Sequence, residues 1–249
     1  MKHLVFGPKQ RKASLLPSFL LGSLFAFLLT TQAWGETGDH HQAYLDALDT
    51  VIASETRIEA EMERISNGAV AHYDFLQHEH IELLRHANAL RHPPTQMSVS
   101  QHDAVIARAD ALLMAAESVE LVIADFLRAQ ALLSSAVSNT LDLLATQPNQ
   151  SQTNADLGNL QQLAHAAREF RTNNTTETRE VLYAAFDEVA SLDIGQTWQS
   201  ELSVQRRLIR NNAAQAVQGK GKLAMAEVTS LAEVLQATYL AAMTETRQG

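Results

Sequence analysis

Five of the ten histidines in this chain fall within residues 72–94, HYDFLQHEHIELLRHANALRHPP. His72, His78, His80, His86 and His92 are interleaved there with Asp74, Glu79 and Glu82. Imidazole with carboxylate is a ligand set for Zn, Cu or Fe, and imidazole is an axial ligand of haem. Spacing decides whether these groups can meet. On a helix, His72, Glu79 and His86 are seven apart, a separation of about 10.5 Å per step. Ligands of a single zinc ion sit about 2 Å from it, so that column cannot form one site. Only neighbours three or four apart can share an ion from one helix. Glu82 with His86 meets this condition, and so does His78 with Glu82 on the outer face.

A second helix must complete any such centre. HAARE offers His165 and Glu169 at the right separation. The candidate metal ligands are therefore His86, Glu82, His165 and Glu169, with His72, His78 and His80 behind them. A transition metal (Cu, Zn or Fe) or haem is the cofactor this set would take. The spacing departs from the Glu-x-x-His of di-iron bundles and from the His-Glu-x-x-His of zinc proteases. Cysteine is absent, and no haem-attachment motif is present. The competing structural role is a polar layer: at 100° per residue His72, His80, Glu79 and His86 face or flank the buried stripe, where such groups fix helix register.

Other chemistry is sparse. The sequence has no Gly-x-Ser-x-Gly and no phosphate-binding glycine loop. This pattern favours a non-catalytic protein, with catalysis dependent on a metal. His40-His41 could bind Cu2+ or Ni2+ near a processed N-terminus, or be a frayed, solvated helix start. Arg206, Arg207 and Arg210, with Lys220 and Lys222, form the one basic concentration, a solvated helix face or a dock for an acidic partner.

The elements that would position these residues read as helices. Stepping by three and four from Tyr44 gives a seam to Leu90, apolar up to Gly68 and partly ionisable after it, which predicts a long helix over 39–91 that resumes in phase after any local break or bend at Asn67-Gly68. Pro93-Pro94 ends it, and Ser100 with Asp103 suggests the next N-cap. A second seam, Val105 to Leu144, predicts a helix over 101–146. Shorter helices are expected over 154–172, 175–192, 196–218 and 222–246, separated by RTNNTTE, DIGQ and GKGK. No alternating strand pattern appears. The expected fold is all-α: an elongated antiparallel helical bundle, four-helix-like, with two long coiled-coil-type helices and shorter C-terminal helices. Residues 39–147 form the long hairpin and 154–247 the shorter helices of a single domain, 36–249.

The N-terminus is basic, then apolar (SFLLGSLFAFLL), then small (Ala33, Gly35), the plan of a signal peptide over residues 1–35. Cleavage near Gly35 would place the protein in the periplasm or outside the cell. The leader holds four of 19 Lys+Arg and none of 28 acids, leaving 15 basic against 28 acidic residues, a net charge of −13. Such a chain is a poor match for nucleic acid or anionic lipid. The sequence therefore points to an exported binding or assembly component of the cell envelope. It would meet a protein partner or itself through helical seams, with a His/Glu metal- or haem-binding bundle as the alternative.

Overall fold

The computed structural model describes residues 16–68, 73–95, 97–146, 154–192 and 194–246, with side chains described from Asp39 onward. The expected leader thus lies outside the described side chains, as does His72. Among the described residues seven helices follow one another: α1 (Leu16–Ser66), α2 (Tyr73–Ala89), α3 (Val99–Ala145), α4 (Asn154–Thr172), α5 (Thr176–Ala190), α6 (Gln196–Met225) and α7 (Val228–Thr246). The fold is an all-α bundle, as the seams predict. Among the described residues no helix is long and apolar enough to cross a membrane.

The seam residues are the core. Tyr44, Leu48, Val51, Ile58, Met62 and Ile65 of α1 are buried, as are Leu76, Leu83 and Leu90 beyond it. So are Val105, Ala109, Leu112, Ala116, Val119, Ile123, Phe126, Leu133 and Val137 of α3. Of the seam positions expected nearer the C-terminus, Leu157 and Ala224 are instead exposed. The start of α3 also moves: its N-cap is Ser98, whose hydroxyl accepts from the Gln101 amide in a capping box, not Ser100 with Asp103.

The long helix expected over 39–91 does not form as one rod. It breaks after Ser66, where Gly68 adopts φ +92°. α2 then folds back along α1. The Tyr44 hydroxyl donates to Leu90 O at 3.0 Å, and Arg57 pairs with Glu79 at 2.8 Å. Residues 39–147 are therefore not a simple two-helix hairpin. The break expected at GKGK is absent instead, because α6 runs through Gly219 and Gly221. Each helical glycine costs about 1 kcal/mol relative to alanine, but here tertiary contact outweighs that cost. A Cβ on Gly219 would lie 3.3 Å from Phe126 Cβ, so glycine lets α6 approach α3 closely.

α6 actually yields at Ala226 and Glu227, the latter with φ +56°. Glu55 of α1 reaches across to accept hydrogen bonds from the Thr229 backbone N–H and hydroxyl, capping α7 from another helix. The break keeps register. Gly219 and Lys222 meet Phe126 and Asp125 on one side of it, and Glu245 meets Gln101 on the other.

The architecture is thus a frame of two antiparallel rods, α3 and the broken α6–α7, carrying two helical hairpins. α1–α2 packs with α3 and α7 around one core. α4–α5 packs with α3 and α6 around a second. Each set of four closes a ring of neighbouring contacts, so two four-helix units lie end to end and share α3. The hairpins meet tip to tip, and a Cβ on Gly68 would sit 2.9 Å from Thr172 O.

At the outer end of the first unit, Tyr44 and Tyr239 rings lie 4.3 Å apart and His41 Nδ1 is 2.7 Å from the Tyr239 hydroxyl. Burial, reinforced by Tyr239, pushes the Tyr44 phenol far above its ordinary value of 10.0. The unfolded chain therefore loses this proton first. The stability tied to it is complete below about pH 10 and declines as pH rises beyond, by up to about 1.4 kcal/mol per pH unit. Urea unfolding between pH 8 and 11 should show that decline, and Tyr44→Phe should flatten it at a cost of about 1 kcal/mol at neutral pH from the lost hydrogen bond. A wild-type profile that stays level to pH 11 would count against this account.

Candidate functional site

Among the described residues the histidine segment does not converge. Glu82 and His86 are neighbours on α2, with Nε2 to Oε2 at 3.6 Å, and His165 and Glu169 are neighbours on α4 at 3.9 Å. α2 belongs to the first core and α4 to the second, and the two helices make no contact. The structure therefore does not bring His86 and His165 together.

The α2 pair is also occupied. Arg85 Nη2 donates to His86 Nε2 at 2.9 Å and binds Glu82 as well, and this arginine holds the Glu82 carboxyl below its ordinary range. The imidazole lone pair that would ligate a metal is taken up by a guanidinium.

The remaining histidines disperse. His80 is buried and its Nε2 donates to Ala116 O at 3.2 Å, tying α2 to the backbone of α3. Glu79 is buried and held by Arg57. Both side chains are buried, as their inward placement suggested. His78 is exposed. His40 and His92 line a common cleft of about 440 Å³ beside Pro93 and Pro94. Among the described residues, no group of three or more His, Asp or Glu is arranged to hold a metal ion. The basic concentration is largely paired: Arg206 with Asp187, Lys220 with Glu63, and Lys222 with Asp125 at 3.9 Å. Arg210 lies over the Tyr183 ring at 5.7 Å.

A different place gathers polar groups. Where the hairpin tips meet, a cleft of about 280 Å³ opens between the two cores. The end of α1 contributes Glu63, Ser66 and Asn67, and α3 contributes Gln130. The α4–α5 turn and the first turn of α5 add Asn174, Thr175, Thr176 and Arg179, and α6 adds Lys220.

Local chemistry fixes these positions. Thr175 caps α5, exchanging hydrogen bonds with Thr178 in a capping box. Arg179 Nη2 donates to Thr176 Oγ1 at 3.0 Å. Lys220 binds Glu63 and holds that carboxyl below its ordinary range, and Asn67 Nδ2 donates to Glu63 at 3.1 Å.

Ser66 Oγ and Gln130 Nε2 are buried and have no hydrogen-bond partner. A buried orphan costs about 1–3 kcal/mol, so native structures rarely keep one without a water or ligand to satisfy it. Both belong to residues that line the cleft, but the two atoms themselves are shielded from it. Gln130 was legible as the amide interrupting an otherwise apolar stretch of the α3 seam. Arg179 and the tip residues carried no signal, because their meeting depends on the hairpin turn at 67–68. The chain matches no protein-family model and no curated protein.

Proposed function

We propose that this protein is an exported, non-catalytic binding component of the cell envelope, and that the cleft between its hairpin tips is where it binds. The observation that carries the reading is the polar lining drawn from four helices, in which Arg179 hydrogen-bonds Thr176 and, among the described residues, forms no ion pair. The other polar groups there are amides, hydroxyls and cations, and the one carboxylate, Glu63, is engaged by Lys220. Such a site holds a ligand and offers it no free general base. The basic-apolar-small leader supports export.

The test begins with protein from the envelope fraction of its own cells. On denaturation it should release a low-molecular-weight compound in equimolar amount. Returned to the stripped protein, that compound should slow backbone amide exchange at residues 66–68 and 174–176. An empty extract, together with unchanged exchange across a chemically broad set of small molecules, overturns the reading. N-terminal sequencing should place the mature start near Gly35, and a chain retaining Met1 in the cytoplasm removes the export claim.

A protein partner is a second reading, favoured by the outer face of α3. Met114 and Leu121 lie seven residues apart on that face and are 71% and 73% exposed. The partner would present an apolar surface with a basic rim, to suit Glu117 beside the stripe and the net charge of −13 after cleavage. Leu121→Glu should abolish its capture from an envelope extract while shifting stability by less than about 0.5 kcal/mol. Capture that survives the substitution rules out this face.

A further inference from the structure

The outer face of α3 carries a second three-four pattern, and we infer that a second copy of this chain docks on it, the two α3 helices running antiparallel. This rests on the reading of that face as a partner surface and names the partner.

Spacing is the first argument. Met114, Ser118, Leu121, Asp125, Arg128 and Leu132 follow one another along α3 in alternating steps of four and three. All six are exposed, and Leu132, at 46%, extends the stripe begun by Met114 and Leu121. The seam that packs inside the bundle lies on the other side. At 100° per residue Leu121 is about 140° away from the buried Ala116. A helix with such a stripe on both sides buries one against its own chain and keeps the other for a second helix.

Self-complementarity is the second argument. Between identical copies a twofold axis sets each residue against one fixed position of the other chain, so the surface must match its own reverse. With the axis crossing α3 between Phe126 and Leu127, Leu121 falls opposite Leu132 of the second copy. Asp125 then falls opposite Arg128, and Ser118 opposite Ser135. Each of these layers is apolar on apolar, acid on base or hydroxyl on hydroxyl, and the axis generates each one twice. Both charges are available. Asp125 is 58% exposed with Lys222 at 3.9 Å, and among the described residues Arg128 is exposed and forms no ion pair. Exposed pairs of this kind add little energy but select orientation.

The distribution of charge fixes the direction. From 117 to 125 the charged residues are Glu117, Glu120 and Asp125, and from 128 to 136 the one charged residue is Arg128. Antiparallel docking lays the acidic stretch on the basic one. Parallel docking would set Asp125 on Asp125 and Glu117 on Glu117. The matched layers run from Ser118 to Ser135, about 26 Å of helix. Farther out, Met114 falls opposite Asn139. A contact that short belongs with transient dimers.

Sedimentation equilibrium of the full chain after leader removal, from about 5 to about 500 µM, should show the mass climb from that of one chain toward that of two. Asp125→Arg and Arg128→Asp should each weaken association at least about tenfold, because each sets like charges in opposition. Mixed in equal amounts, the two variants should associate as the wild type does, since every arginine then meets an aspartate. The chain has no cysteine, so Ser118→Cys and Ser135→Cys report direction. Mixed, they should cross-link on oxidation. Neither should cross-link alone, because its two copies lie about 26 Å apart in the antiparallel dimer. A chain that stays monomeric throughout overturns the inference. So does a dimer that neither charge reversal weakens, or one that Ser118→Cys cross-links alone. A monomer whose capture of an envelope protein is abolished by Leu121→Glu loses the second copy as partner and keeps the face as a docking surface. A monomer whose capture survives that substitution loses the face as well.

Discussion

Phe126→Ala should lower stability by about 3–5 kcal/mol, which for a chain of this size is a Tm drop of roughly 6–20 °C. Phe126 is fully buried and lies where α3 and α6 approach closely. The cost has two parts: lost transfer free energy of the ring, and a cavity that the neighbours cannot close. Closure is hampered because the facing residue is Gly219, which has no side chain to swing into the space. The same geometry predicts a coupling. Gly219→Ala in the wild type sets a methyl 3.3 Å from Phe126 Cβ, a crowding that offsets its gain in helix propensity. In the Phe126→Ala background the Cβ contact remains, but the ring carbon at 3.6 Å is gone and the methyl borders the emptied space, so Gly219→Ala should be more favourable there by about 0.5–1 kcal/mol. A double-mutant cycle by urea denaturation reads that difference, and strict additivity would show that the two helices are not in this contact.

Gly68→Ala should cost about 2–4 kcal/mol, by two routes that both follow from its place at the hairpin tip. Its φ of +92° is one that an L side chain adopts only under strain of about 1–2 kcal/mol. The new Cβ would also meet Thr172 O at 2.9 Å and Asn174 N at 3.4 Å, which are backbone atoms with no rotamer to move aside. Relief requires the α1–α2 tip to back away from the α4–α5 turn, which opens the cleft that lies beside it. Denaturant unfolding should therefore register the loss of stability, and amide exchange should quicken at residues 174–176 on the opposite hairpin. Gly158→Ala is the control. It lies within α4 with nothing inside 4 Å, and there alanine should stabilise by about 0.5–1 kcal/mol. A harmless Gly68→Ala would mean that the tips do not touch.

The helical class and most of the core were readable because burial enforces the three-four spacing wherever a helix packs, and nearly every seam residue of α1 and α3 is inside. What phase could not reveal was continuity. A heptad pattern runs on equally well through a rod and through a hairpin whose two arms bury the same stripe. Asn67-Gly68 carried the turn signal, and the unbroken phase concealed it. The opposite error at Gly219 and Gly221 has the matching cause: turn residues were present, but a close helix crossing needed the missing Cβ. The bend at Glu227 had no local mark at all, since a carboxylate 174 residues away in sequence caps the helix that follows it. For the site, residue type identified imidazoles able to ligate, but only the fold reveals that α2 and α4 sit in different units. Arg179 and Ser66 come together through two turns, and neither turn's position was fixed by periodicity.

Because α3 threads both cores without interruption, the molecule has no seam along which it could come apart into independently stable halves. Fraying of either hairpin leaves the stretch around Phe126 to Leu133 covered by the other, together with α6. Those amides should therefore exchange only when the entire chain opens, at a rate set by global stability. The two ends should unfold as one cooperative transition, despite each having the ring of helices that suffices for a separate domain.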